Sequence, residues 1–116
     1  MAYHITTFVN ESGLNSVTAN PEATRDTYFL SPGSKVNPQH PPLLNTGTFG
    51  SYSQAFPKAN WIYTGVETYA FWDSGDSEIF AATQQDPNTV QVLYKASAGN
   101  LTLTINKDGS IAFTAA

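Results

Sequence analysis

The chain contains no cysteine among its 116 residues, which excludes disulfides, thiol nucleophiles and thiolate metal sites and leaves the redox compartment open. It is also poor in charge, 12% against the usual quarter or so. Its surface must therefore be built largely from Thr, Ser, Asn, Gln and Gly. The five basic residues, Arg25, Lys35, Lys58, Lys95 and Lys107, are scattered singly along a chain of net charge −4. Nucleic acid is not an expected partner, because neutralising phosphates needs a clustered basic face.

Long apolar runs are missing too, and the opening Met-Ala-Tyr-His-Ile has no basic segment followed by an apolar one. We expect neither a membrane-spanning helix nor a signal peptide, and so a protein that is cytoplasmic or released without a secretory signal. Catalytic motifs are absent: there is no G-x-S-x-G, no phosphate loop and no dinucleotide fingerprint. The two histidines, His4 in a strand-like segment and His40 in a proline-rich one, have no metal-ligand spacing around them and read as structural or exposed. The chain reads as a non-enzyme. Two glycosylation sequons, Asn10-Glu11-Ser12 and Asn100-Leu101-Thr102, read as chance in an Asn- and Thr-rich chain.

What the sequence does have is short segments of period two separated by turn residues. Tyr3 to Asn10, Leu14 to Ala19, Tyr28 to Leu30, Thr48 to Ser53, Trp61 to Trp72 with a break at Gly65, Glu78 to Thr83, Thr89 to Ala96, Leu101 to Ile105 and Ile111 to Phe113 read as strands. Glu22 to Asp26 has room for one helical turn. The last third reads as an antiparallel meander with short Gly- or Pro-containing turns. Ser31 to Gly47, with four prolines, reads as a long irregular loop laid across a face or edge of the sheet and pinned by Leu43 and Leu44. The expectation is one all-β domain over residues 1–116, an antiparallel β-sandwich of eight or nine short strands, with a barrel as the alternative.

The densest stretch is Asn60 to Phe80, which holds both tryptophans and ends in the carboxylates Asp73, Asp76 and Glu78. Its rings Trp61, Tyr63, Tyr69, Phe71 and Trp72, beside Glu67, are either core or a flat platform for a sugar ring or the lipid–water interface. Strand alternation sets Glu67, Tyr69 and Phe71 against Thr68, Ala70 and Trp72. The cost of burying Glu67 assigns the Glu67-Tyr69-Phe71 face to the outside. Asp73, Asp76 and Glu78, with Ser74 and Ser77, supply oxygens of the kind Ca²⁺ takes, although Asp and Ser also favour turns by bonding their own backbone.

Two short stretches, Phe-Val-Asn-Glu-Ser-Gly at 8–13 and Tyr-Thr-Gly-Val-Glu-Thr-Tyr-Ala-Phe at 63–71, resemble the aegerolysin-like proteins. Those are small, acidic, signal-less β-sandwiches of fungi and bacteria that bind membrane lipids, some of them as partners in pore-forming or insecticidal pairs. The resemblance implies a non-enzymatic binding protein of toxin or defence type that recognises a membrane lipid or glycan at a cell surface, alone, as a homo-oligomer or with a partner toxin protein. The rival reading is a self-assembling structural protein: a coat, decoration, filament or crystal subunit. Low charge and abundant Thr suit it equally.

Overall fold

A computed structural model describes residues 2–116 and shows ten strands and one short helix: β1 (Tyr3–Asn10), β2 (Ser16–Asn20), β3 (Ala23–Leu30), β4 (Lys35–Val36), α1 (Tyr52–Ala55), β5 (Asn60–Tyr63), β6 (Thr68–Asp73), β7 (Glu78–Thr83), β8 (Val90–Lys95), β9 (Gly99–Ile105) and β10 (Ile111–Ala115). They form two sheets, β10-β9-β1-β4 and β3-β2-β5-β6-β7-β8. The expected β-sandwich is the fold. The alternation of β9, and that of β1 with an irregularity between Ile5 and Thr7 that switches its faces, drives Tyr3, Ile5, Phe8, Leu101, Leu103 and Ile105 inward, where they meet Ile62, Phe71 and Ile79 of the larger sheet and Phe113 of β10. The Phe71 and Phe113 rings lie 5.5 Å apart across this core.

Three local expectations are corrected. Ala23–Leu30 is strand throughout, with no helical turn at 22–26, because pairing with β2 (Val17 with Phe29, Thr18 with Tyr28) satisfies its backbone over a greater length than one turn would. The segment from Thr48 to Ser53 is not a strand; it leads into α1, whose first turn is capped by the Ser51 hydroxyl accepting from the Gln54 amide. The C-terminal strands are two hairpins in different sheets rather than one meander, for the chain crosses between β8 and β9. One pairing departs from the antiparallel rule: β1 runs parallel to β9, from Tyr3 opposite Gly99 to Asn10 opposite Ile105.

Two features set the surface on which function depends. The first is the proline-rich loop, which runs along the edge of β1: the Ile5 amide donates to the Pro42 carbonyl and the Leu44 amide to that of Tyr3. Leu44 is buried as expected, but Leu43 points the other way and is 46% exposed. A buried amide cluster anchors the end of this loop to the larger sheet. The Asn45 side chain donates to Asn20 Oδ1 (2.8 Å) and to the Lys58 carbonyl (2.7 Å), while Asn60 Oδ1 accepts from the Asn45 amide (2.9 Å). Asn10 is buried likewise, donating to the Leu14 and Leu30 carbonyls and accepting from Ser12, so its sequon is closed to glycosylation in the folded chain.

The second feature is a layer outside the larger sheet. The segment around α1 lies over β6 and β7, and Tyr52, Ala55 and Ala59 close over Ala70, Trp72 and Ala82, with Phe49, Phe80 and Val90 at the margin. This layer covers one half of the outer face. The other half is bare.

Candidate functional site

The outer face of the larger sheet is read most directly from its register. One row crosses β3, β2, β5 and β6 through Phe29, Val17, Tyr63 and Thr68. The next crosses β2, β5, β6 and β7 through Ala19, Trp61, Ala70 and Ala82. Ser16, Thr18 and Ile62 alternate with these residues and are buried on the opposite side, so Phe29, Val17, Tyr63 and Trp61 face outward. Phe29 is 80% exposed and Tyr63 45%. Trp61 is half-buried, tilted against Phe56 with centroids 5.9 Å apart, and Phe56 in turn stacks on Tyr52. The Phe56 contact carries the covered half into the bare half as one line of rings.

The patch extends to the end of the sandwich. At the β5–β6 turn the backbone reverses through Gly65, whose φ of +91° suits glycine, and Leu14 packs so close that a methyl group on Gly65 would stand 2.7 Å from its Cβ. Leu14 and Val66 are both exposed there, Val66 by 62%. The polar groups near this patch are spent locally: the Tyr63 hydroxyl donates to the Gly65 carbonyl (3.3 Å), and Glu67 accepts from the Thr68 amide through Oε1 (2.8 Å). What remains outward is apolar and aromatic surface.

Of the residues expected to bind ligand, Trp61 and Tyr63 stand on this face. The other four do not. Phe71 is wholly buried between the sheets and Tyr69 is half-buried on the same inward side, lining a cavity of about 40 Å³, room for about three waters. Trp72 faces outward from the sheet but is wholly buried under Phe49 and Phe80, its centroid 5.3 and 6.2 Å from theirs. The outward Glu67-Tyr69-Phe71 face is therefore corrected: Glu67 lies in the turn before β6 begins, so the cost of burying its carboxylate places no constraint on which way β6 faces.

The three carboxylates expected to hold a metal do not converge. Asp73 is buried, and its Oδ1 accepts from the Gly75 amide (2.8 Å); Asp76 is exposed in the turn; Glu78 lies 3.9 Å from Lys95. Among the described residues, no three of His, Cys, Asp and Glu gather as metal ligands would. The turn is held by side-chain bonds to its own backbone, as Asp and Ser commonly do.

Sequence reasoning missed Phe29, whose place in Tyr28-Phe29-Leu30 gave no hint that it lies on the bare side. Compared with known protein families, with curated proteins and with solved structures, the chain has no significant match.

Proposed function

We propose that the chain is a non-enzymatic binding protein of toxin or defence type that engages a membrane lipid or glycan at a cell surface, and that the bare half of the larger sheet is the surface it uses. The observation that carries this reading is the row Phe29, Val17 and Tyr63, continued by Leu14 and Val66, left uncovered where the adjoining half of the same face is buried beneath α1. Contiguous exposed apolar surface of this kind is uncommon on a soluble domain without a partner. Tyr63 and Trp61 are rings with one polar atom each, the type found where apolar and aqueous phases meet. Lipid is favoured over glycan because the polar groups nearby already bond their own backbone. The resemblance at residues 8–13 and 63–71 to aegerolysin-like proteins points in the same direction.

Sedimentation with neutral phosphatidylcholine vesicles tests the reading, with immobilised glycans alongside. Phe29→Ala with Tyr63→Ala is expected to reduce vesicle binding at least about tenfold, since two aromatic side chains contribute on the order of 3 kcal/mol when fully buried. Unchanged binding in the double variant, or no binding by the native chain to either target, overturns it.

Self-assembly is a second reading with an observation of its own. β3 is the outermost strand of the larger sheet, eight residues long, and carries Phe29. A long edge strand is a template for another strand. Sedimentation velocity decides: assembly that grows with concentration and is lost on inserting proline at Thr27 favours the structural subunit, whereas a monomer at all concentrations rules it out.

A further inference from the structure

The chain has one arginine and two histidines, and all three line a single cleft. His4 and Thr6 come from β1, Asn100 from the start of β9, Arg25 from β3, and His40 and Pro41 from the proline-rich loop; the cleft is shallow and open to solvent, with about 420 Å³ of space before it. No carboxylate is among the lining residues. The only ion pair among the described residues joins Lys95 to Glu78, so Arg25 is in none, although the Asp26 carboxylate acts with it on the same Tyr28 phenol.

The hydrogen bonds formed around the cleft leave its donors free. The Thr6 hydroxyl reaches the Leu101 carbonyl at 3.4 Å, and the backbone carbonyl of His40 accepts from Tyr28 at 3.1 Å, which fixes the loop without engaging the imidazole. Among the described residues, the side chains of His4, Arg25, His40 and Asn100 have no hydrogen-bond partner. Each presents N–H donors, the guanidinium five of them, and a neutral imidazole still has one. In an acidic chain of few cations, this is a concave surface of donors around a fixed positive charge.

We infer that the cleft between β1, β3 and the proline-rich loop binds a tetrahedral oxyanion, a phosphate or sulfate ester, through Arg25, His4 and His40. A planar carboxylate offers two oxygens and is satisfied by the guanidinium fork alone. A phosphate or sulfate ester presents three terminal oxygens in different directions, matching donors that arrive from three separate elements. Pro41 gives the cleft an apolar wall against which the ester's carbon side packs. This site is independent of the aromatic patch: Arg25, His40 and Asn100 have no part in that surface.

The test is calorimetric and nuclear-magnetic-resonance titration of the native chain with inorganic phosphate, inorganic sulfate and acetate at low ionic strength. Saturable one-to-one binding of phosphate or sulfate is expected, with shift changes centred on His4, Arg25 and His40. Arg25 and His40 are exposed, so Arg25→Gln and His40→Gln retain the fold, and each is expected to weaken binding about tenfold or more, as loss of a charge-assisted bond does. Lys107→Gln removes a charge at the opposite end of β9 and should leave affinity within about twofold, well under the tenfold that a direct contact is worth. Glycerol phosphate and vesicles containing phosphatidic acid then separate the sources: binding to the first alone assigns a soluble ester, and Arg25-dependent binding to the second assigns a headgroup. No saturation by about 10 mM phosphate or sulfate, weaker than a millimolar site, overturns the inference. Equal losses in Arg25→Gln and Lys107→Gln, or acetate bound as tightly as phosphate, do the same.

Discussion

Phe71 and Trp72 are neighbours in the chain, face opposite sides of β6, and are both wholly buried. That is possible because the central part of this sheet is covered on both faces, by the smaller sheet on one and by the segment around α1 on the other. Phe71→Ala should cost about 3–5 kcal/mol in chemical denaturation, the usual figure for emptying an aromatic site in a close-packed core. Tyr63→Ala, on the bare face, should cost less than about 1 kcal/mol. Similar losses for the two would mean that the bare face is core after all. Which rings would be buried was only partly legible in the sequence. Alternation separates Tyr69 and Phe71 from Ala70 and Trp72 correctly, but it says nothing of a third layer, and the charge of Glu67 was no guide because that residue belongs to the turn. The cleft was less legible still: His4, Arg25 and His40 are far apart in the chain and meet only through the path of the proline-rich loop.

Among the elements, strands bounded by strong turn chemistry were legible nearly to the residue. Tyr3–Asn10 and Glu78–Thr83 have the bounds that their flanking turns give them, although an irregularity between Ile5 and Thr7 switches the faces of β1 so that Phe8 and Asn10 are buried in place of Thr7 and Val9, and Gly65 breaks the long aromatic run as expected. The break is a full reversal between β5 and β6, in which the Thr64 amide donates to the Glu67 carbonyl at 2.9 Å. Gly65→Ala should therefore destabilise by roughly 1–3 kcal/mol, combining a side chain at positive φ with an encounter with Leu14. A melting temperature unchanged by this substitution would contradict the turn geometry. Short segments without such punctuation went the other way. Residues 22–26 and 48–53 are too brief for local preference to decide, and pairing with β2 in one case and the Ser51 cap in the other determined the outcome.

At the scale of the molecule, titration links the two sheets. Burial holds the Tyr3, Tyr28, Tyr52 and Tyr69 phenols above their ordinary value, with the Asp73 carboxylate adding to the effect at Tyr3 and Glu67 at Tyr52 and Tyr69. A phenol raised in the folded chain makes a contribution that is fully present below the unfolded value of about 10 and is lost as pH rises through the folded value. Denaturation midpoints should be flat in these groups up to about pH 9.5 and fall steeply above pH 10. Tyr69→Phe should fall less steeply than the native chain, and an identical slope would show that Tyr69 ionises as freely folded as unfolded. The sandwich itself was evident from strand spacing, whereas the pairing of β1 with β9 was not, since no local pattern announces a partner more than ninety residues away. That pairing bears on how the chain is made. β1 has its long neighbour in residues 99–105, and until those are synthesised only the two-residue β4 and the loop beside it are available to cover one of its edges. The smaller sheet therefore assembles only after residues 99–105 have emerged, whereas the larger sheet, built from β2, β3 and β5 to β8, does not wait for them.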